Sequence, residues 1–290
     1  LNTAAHEHTR TGFLASDRSE GFIRVFTWYT RRLFAKKFAA VRLCQESEPI
    51  ARSLSSHAGP AIVVLNHSSW WDPLLAVLVS STFTPDRRGC GPMDLSQLQK
   101  FRFFGKLGVF GVNPDDARSI VPMLAHVEAL ISAHPATTLW ITPQGRFCDV
   151  RTDIAIKPGA AALAARLGPS CRVFSLAIEY GFWTDAKPEV FLRFAEIPTP
   201  STAPSPSPTP PTARAWTDAM QQAMTTNAES LAGRVIARDP SAFTTISGGT
   251  ARINPAYDWW LKLRGKRVEI DAKRTHHGAS VPVPKAKTTP

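Results

Sequence analysis

Two hydrophobic periods alternate along this chain and divide it into strands and helices. Five consecutive apolar residues, Ala61–Leu65, read as a strand covered on both faces. Residues 109–112, 137–142, 173–179 and 190–195 read as further strands. Asp72-Pro73 opens a helix to about residue 80, because Asp suits an N-cap and Pro suits the first helical position. Further helices are predicted over 95–106, from Pro114-Asp115-Asp116 to about 132 with an acidic first turn, over the Ala-rich 158–167, and over 213–237. Strands alternating with helices imply an α/β fold, a mixed sheet flanked by helices.

The ends follow a different pattern. Phe22, Val25, Phe26, Tyr29 and Leu33 recur at helical spacing, and the stripe then rotates to Phe34, Phe38 and Val41. This predicts an N-terminal amphipathic helix over 21–45, after a disordered 1–20. The α/β domain is expected over 46–197. Residues 198–211 hold seven prolines among Ser, Thr and Ala, which reads as an extended linker over 198–212. A helical C-terminal appendage over 213–264 and a disordered basic tail over 265–290 complete the expected organisation.

Composition changes the picture through charge. The 290 residues carry a formal net charge of +11 with 43% hydrophobic content, which excludes a wholly disordered chain. No stretch approaches the roughly 18–20 apolar residues of a spanning helix. The basic excess lies at the two ends. Arg24, Arg31, Arg32, Lys36, Lys37 and Arg42 face no acid between residues 21 and 42, and the tail from Trp259 adds eight bases against Glu269 and Asp271. Aromatic residues accompany both runs, Tyr257, Trp259 and Trp260 in the second. Bases interleaved with aromatics describe an interfacial segment on an anionic membrane surface. The same helix also fits one that packs on its domain with a solvated basic side. Nucleic acid ranks lower, since no RNA- or DNA-binding motif accompanies the charge. Four well-separated cysteines without a CxxC pair and a polar first 20 residues lead to the expectation of a reducing, cytoplasmic setting, peripheral on the inner face of the membrane.

Chemistry concentrates after the strands. Asn66-His67-Ser68-Ser69-Trp70-Trp71-Asp72 directly follows the first buried strand. A loop of that length can fold Asp72 back onto one imidazole nitrogen of His67, leaving the other as a base. Asp72 as a simple N-cap beside an incidental loop histidine is the competing reading. Thr142-Pro143-Gln144-Gly145-Arg146 follows another buried strand, where Pro-x-Gly makes a tight turn and Arg146 could grip an anion. Both loops follow strands, so both can open on one sheet edge, where α/β folds place ligands. No metal site is indicated: His6, His8, His276 and His277 sit in polar ends.

Together these residues resemble the lysophospholipid (glycerol-phosphate) acyltransferase family. Its first block, Asn-His-x-x-x-x-Asp, is matched by Asn66, His67 and Asp72; its third, Phe-Pro-Glu-Gly-x-Arg or Ser, is matched loosely by residues 142–146. Lys157-Pro158-Gly159 resembles its Lys-x-Gly, and the likeness spans about 62–195. It implies an acyltransferase-like layered fold and direct acyl transfer from an acyl thioester (acyl-CoA or acyl carrier protein, with no other cofactor) to a hydroxyl of a membrane lipid. His67 and Asp72 would be the dyad, with Asn66, Gln144, Gly145, Arg146 and Lys157 at the substrates and backbone amides near Gly145 as oxyanion donors. The departures also matter. Gln144 replaces the third block's Glu, and Pro114 stands where the second block's phosphate-binding Arg belongs, with Arg118 a possible substitute one turn on. They put lysophosphatidate in doubt and make a glycolipid, glycosylated isoprenoid or aminolipid a serious alternative acceptor. They also leave open a catalytically impaired lipid-binding protein on the same fold or, more weakly, a hydrolase.

Overall fold

A five-residue apolar run has no face to offer water, and Ala61–Leu65 lies accordingly at the centre of a nine-stranded sheet, every residue buried. The computed structural model describes residues 12–113, 115–200, 210–248 and 264. Along them run β1 (Phe13–Leu14), α1 (Glu20–Lys37), β2 (Ala40–Cys44), α2 (Glu48–Ser56), β3 (Ala61–Leu65), α3 (Asp72–Phe83), β4 (Arg88–Asp94) and α4 (Leu95–Lys100). Then follow β5 (Val109–Val112), α5 (Ile120–Ala133), β6 (Thr137–Ile141), α6 (Gly159–Leu167), β7 (Arg172–Gly181), β8 (Glu189–Ile197), α7 (Ala213–Ala237) and β9 (Phe243–Gly248).

The strand order is β1-β5-β4-β6-β3-β7-β8-β2-β9. Strands β3 to β7 are mutually parallel through the pairs β5/β4, β4/β6, β6/β3 and β3/β7, so their carboxyl ends share one edge. Alternate side chains of β3 serve two cores. Val63 and Leu65 pack with Phe34, Leu54, Leu75 and Leu78 from α1, α2 and α3. Ile62 and Val64 pack with Val127, Leu163 and Met220 from α5, α6 and α7. The result is a mixed α/β sheet between two helical layers, the expected fold class.

Several expected elements differ. The N-terminal helix stops at Lys37, not 45: Phe38 is extended and Ala40–Cys44 forms a strand between β8 and β9. Val41 and Leu43 enter one core while Cys44 enters another, a period of two that the Phe34-Phe38-Val41 spacing does not separate from helix. Arg42 sits opposite them, paired with the buried Glu189. Within the stretch expected to be disordered, Phe13 and Leu14 pair antiparallel with β5, and Phe13 packs against Phe110 and His126; residues 1–11 lie outside the described residues. The predicted 95–106 helix breaks at Phe101 and continues as a tighter turn over Arg102–Leu107. The helix expected from Pro114 begins at Ile120, behind one such turn over Ala117–Ser119; Pro114 itself is not described. The C-terminal appendage is helical only to Ala237, where Arg238 turns left-handed (φ 52°), and Phe243–Gly248 returns to the sheet. Residues 249–263 and the tail from 265, with Tyr257, Trp259 and Trp260, are outside the described residues, as are 201–209 of the Pro-rich stretch.

At the opposite sheet edge from the β3 and β6 loops, buried Arg87 fastens the amino ends of those strands. Its guanidinium donates to Thr138 Oγ1 (2.8 Å), Gly59 O (2.8 Å), Thr137 O (3.1 Å) and His57 O. Burial lowers its pKa to about 10. Arg87→Ala strands these acceptors and is expected to lower unfolding free energy by about 2–4 kcal/mol. Urea denaturation measures it, and a midpoint equal to that of the parent protein contradicts the assignment.

Candidate active site

The site begins where β3 stops. Asn66 continues the ladder with its side chain: Nδ2 donates to Ile178 O (2.9 Å) and Oδ1 accepts from Ile178 N (2.7 Å). This amide pair locks the first loop residue to β7, so the next residue, His67, leaves the sheet from a fixed point.

Five residues on, Asp72 is the first residue of α3, with Trp71 at the cap position. Its carboxylate does not cap the helix. It turns back into the preceding loop, where Oδ2 accepts from Ser68 N and Ser69 N (both 2.9 Å) and lies 2.7 Å from His67 Nδ1. The other oxygen, Oδ1, accepts from the Tyr180 hydroxyl at 2.7 Å. Asp72 is 1% exposed, so four donors replace the water a buried carboxylate has lost. A carboxylate already accepting two amides admits only an N–H at Nδ1, so in the neutral ring Nε2 is the nitrogen without a proton. Burial, then the adjacent Asp72 charge, pushes the Tyr180 phenol far above the usual tyrosine value, so it stays a donor. The Phe147 ring covers the imidazole at 4.2 Å between centroids.

The loop after β6 meets this one because β3 and β6 are neighbours. Gln144 is buried and its Oε1 accepts from His67 N (2.8 Å), while Cys148 N donates to His67 O (2.8 Å). Both polar groups of the His67 backbone are thereby held by the second loop. Gly145 takes a positive φ of 67°, closing the turn through its N–H to Thr142 O (3.1 Å). Among the described residues the amides of Arg146 and Phe147 have no hydrogen-bond partner, whereas that of Gly145 is used. Lys157 packs over Gly145 and donates to Asp115 Oδ1 at 2.9 Å. Arg146 is exposed on the same loop.

Arg118 is not brought to this centre. It follows β5, which β4 and β6 separate from β3, and its hydrogen bonds run to Asp116, its side chain 83% exposed. Tyr180 and Phe147 belong to the site although neither falls in the motifs that point to it. Strand parity is the signal for Tyr180, which lies on the same face of β7 as Leu176 and Ile178, the face that α3 covers. Phe147 gives no signal in the sequence beyond its nearness to the turn.

Two clefts flank the His67 loop. One of about 290 Å³, with mixed polar and apolar walls, is lined by Asn66, Gln144, Cys148 and Glu179, by Ile154 and Ile178, and by Ala228, Leu231 and Ile236 of α7. An aromatic one of about 380 Å³ lies between Phe26, Tyr29 and Leu33 of α1, Trp70 and Trp71 of the loop, and Phe103 and Phe104.

Comparison with curated proteins gives no match to this chain. Residues 42–179 match the family model described as Acyltransferase, a span that runs from β2 through both loops to the strand carrying Tyr180. Residues 42–179 are thus an Acyltransferase domain, the domain of the lysophospholipid and glycerol-phosphate acyltransferase family.

Proposed function

We propose that this acyltransferase moves a fatty acyl group from an acyl thioester, acyl-CoA or acyl carrier protein, to a hydroxyl of a membrane lipid, with His67 as general base. The observation that carries the reading is the 2.7 Å contact of His67 Nδ1 with a buried Asp72 that three further donors hold in place. Such a dyad has a base but no nucleophile of its own, so the acceptor attacks directly. Nε2 takes the proton of the acceptor hydroxyl as its oxygen adds to the thioester carbonyl. Negative charge develops on the carbonyl oxygen, and the amides of Arg146 and Phe147, unpartnered among the described residues, would be its loop donors. Collapse breaks the carbon–sulfur bond, and the thiolate recovers the proton from the imidazolium, leaving an ester and a thiol. Arg146 and Lys157 would serve anionic parts of a substrate.

Gln144 does not argue for an inactive protein, because its carbonyl supports the His67 backbone and a glutamate carboxylate in that place would accept the same hydrogen bond. A glycolipid, glycosylated isoprenoid or aminolipid is the alternative acceptor to lysophosphatidate.

The membrane reading rests on α1. Phe22 and Phe26 turn inward onto Phe103, at 6.5 and 5.8 Å between centroids. Val25, Trp28 and Tyr29 remain exposed beside Arg24, Arg31, Arg32, Lys36 and Lys37. Trp70, Phe101 and Phe103 add further exposed rings around the aromatic cleft. This surface suits peripheral binding to an anionic leaflet on the cytoplasmic side, the aromatic cleft opening toward the acyl layer. No helix among the described residues is long and apolar enough to cross a membrane.

Two measurements test these assignments. His67→Ala is expected to reduce thioester-dependent acylation of a total lipid extract by roughly a thousandfold with the circular dichroism spectrum unchanged; parental activity in that variant rules the base out. Cosedimentation with phosphatidylserine-containing vesicles is expected for the parent protein. Replacing Arg32, Lys36 and Lys37 by Gln is expected to weaken it by about a hundredfold, at about 1 kcal/mol per base near an anionic surface. Equal binding of parent and variant removes α1 as the membrane contact.

A further inference from the structure

The cleft between the His67 loop and α7 contains a carboxylate that the reaction as written does not use. Glu179 lies on β7, one residue before Tyr180, and its side chain points to the opposite face of the sheet from that ring, into the space beneath α7. Among the described residues its carboxylate has no hydrogen-bond or ion-pair partner, although the residue is only partly exposed. Burial alone raises its pKa, the mark of a carboxyl without a counter-charge in the cleft.

The other groups around it define a chemistry. Asp149 and Arg151 also line the cleft, but they pair with each other at 2.7 Å and are well exposed. Asn66 is spent on Ile178. Gln144 uses its carbonyl on His67 N, which leaves its amide nitrogen as a donor in the same cleft. The far wall is apolar: Ala228, Leu231 and Ile236 of α7, a helix beyond the matched residues 42–179. The cation of the lining, Arg151, is held by Asp149, and Arg118 and Lys157 pair outside the cleft with Asp116 and Asp115.

Resting on the acyl-transfer reading, we propose that Glu179 recognises the acceptor head group, and that this group is uncharged and rich in hydroxyls, of the sugar type. Neighbouring hydroxyls donate to the carboxylate, the Gln144 amide donates to a hydroxyl or ring oxygen, and the apolar face of the ring rests on α7. A phosphate monoester would meet an unpaired carboxylate, whereas an ammonium group would find that one counter-charge but give the Gln144 amide donor no acceptor. Helix α7 thereby becomes the device that sets acceptor choice.

The experiment measures binding and turnover on the full chain, with three lipids of one short chain length: a lipid glucoside, a lysophosphatidate and an alkylamine. The protein is expected to bind the glucoside best. Glu179→Ala is expected to weaken that binding roughly tenfold or more and to raise the acceptor KM equally, leaving kcat and the thioester KM unchanged. Glu179→Gln, which keeps an acceptor oxygen, is expected to recover part of the loss. Unchanged glucoside binding in Glu179→Ala, or tighter parental binding of lysophosphatidate or the amine, overturns the proposal. His67→Ala is expected to bind the glucoside like the parent. Glu179-dependent binding without acyl transfer to any acceptor supports the head-group site while removing the transfer reading.

Discussion

One buried carboxylate organises the chemistry of this molecule. Asp72 sits almost fully inside the protein, where an unpaired charge is untenable, and four donors converge on it: the His67 ring, the Ser68 and Ser69 amides and the Tyr180 hydroxyl. Two of these define the loop path, one defines the histidine tautomer and one ties α3 to β7. Loss of the charge would release all of them together, so the loop conformation and the state of the base share one cause.

The sheet supplies the rest by direction. Because β3 to β7 run parallel, the loops after β3 and β6 leave from the same edge, and adjacency of these strands brings Gln144 and Cys148 onto the His67 backbone. The Asn66 clamp on Ile178 fixes the third side from β7. A rigid strand end on each side explains how a short, glycine-containing loop can hold backbone donors beside an imidazole. Two clefts flank the His67 loop, one aromatic under α1 that touches Trp70 and Trp71, the other under α7 that touches Asn66 and Gln144.

Legibility in the sequence follows the strength of local signals. The β3 run, α7 and the His67–Asp72 spacing are readable because each is decided within a few residues. Strand β4, Arg88–Asp94, is not, since two glycines and a proline hide it. Gly91 is there because a Cβ would come within 2.5 Å of Trp140 O, a fact of the neighbouring strand. Strand β2 imitates helix because Val41 continues the helical spacing of Phe34 and Phe38, and only the flanking β8 and β9 show the residue to lie in a strand. Glu179 and Tyr180 differ in role only through strand parity, which puts one in the cleft under α7 and the other on Asp72. Such assignments depend on partners about a hundred residues away.

The organising role of Asp72 is open to direct observation by nitrogen-15 NMR of the His67 ring, recorded with the imidazole neutral. The geometry predicts a protonated, hydrogen-bonded Nδ1 and an unprotonated Nε2, with Nδ1–H lost as the dominant form in Asp72→Ala. An Nε2–H tautomer in the parent protein, or the same tautomer ratio in Asp72→Ala, would contradict the account.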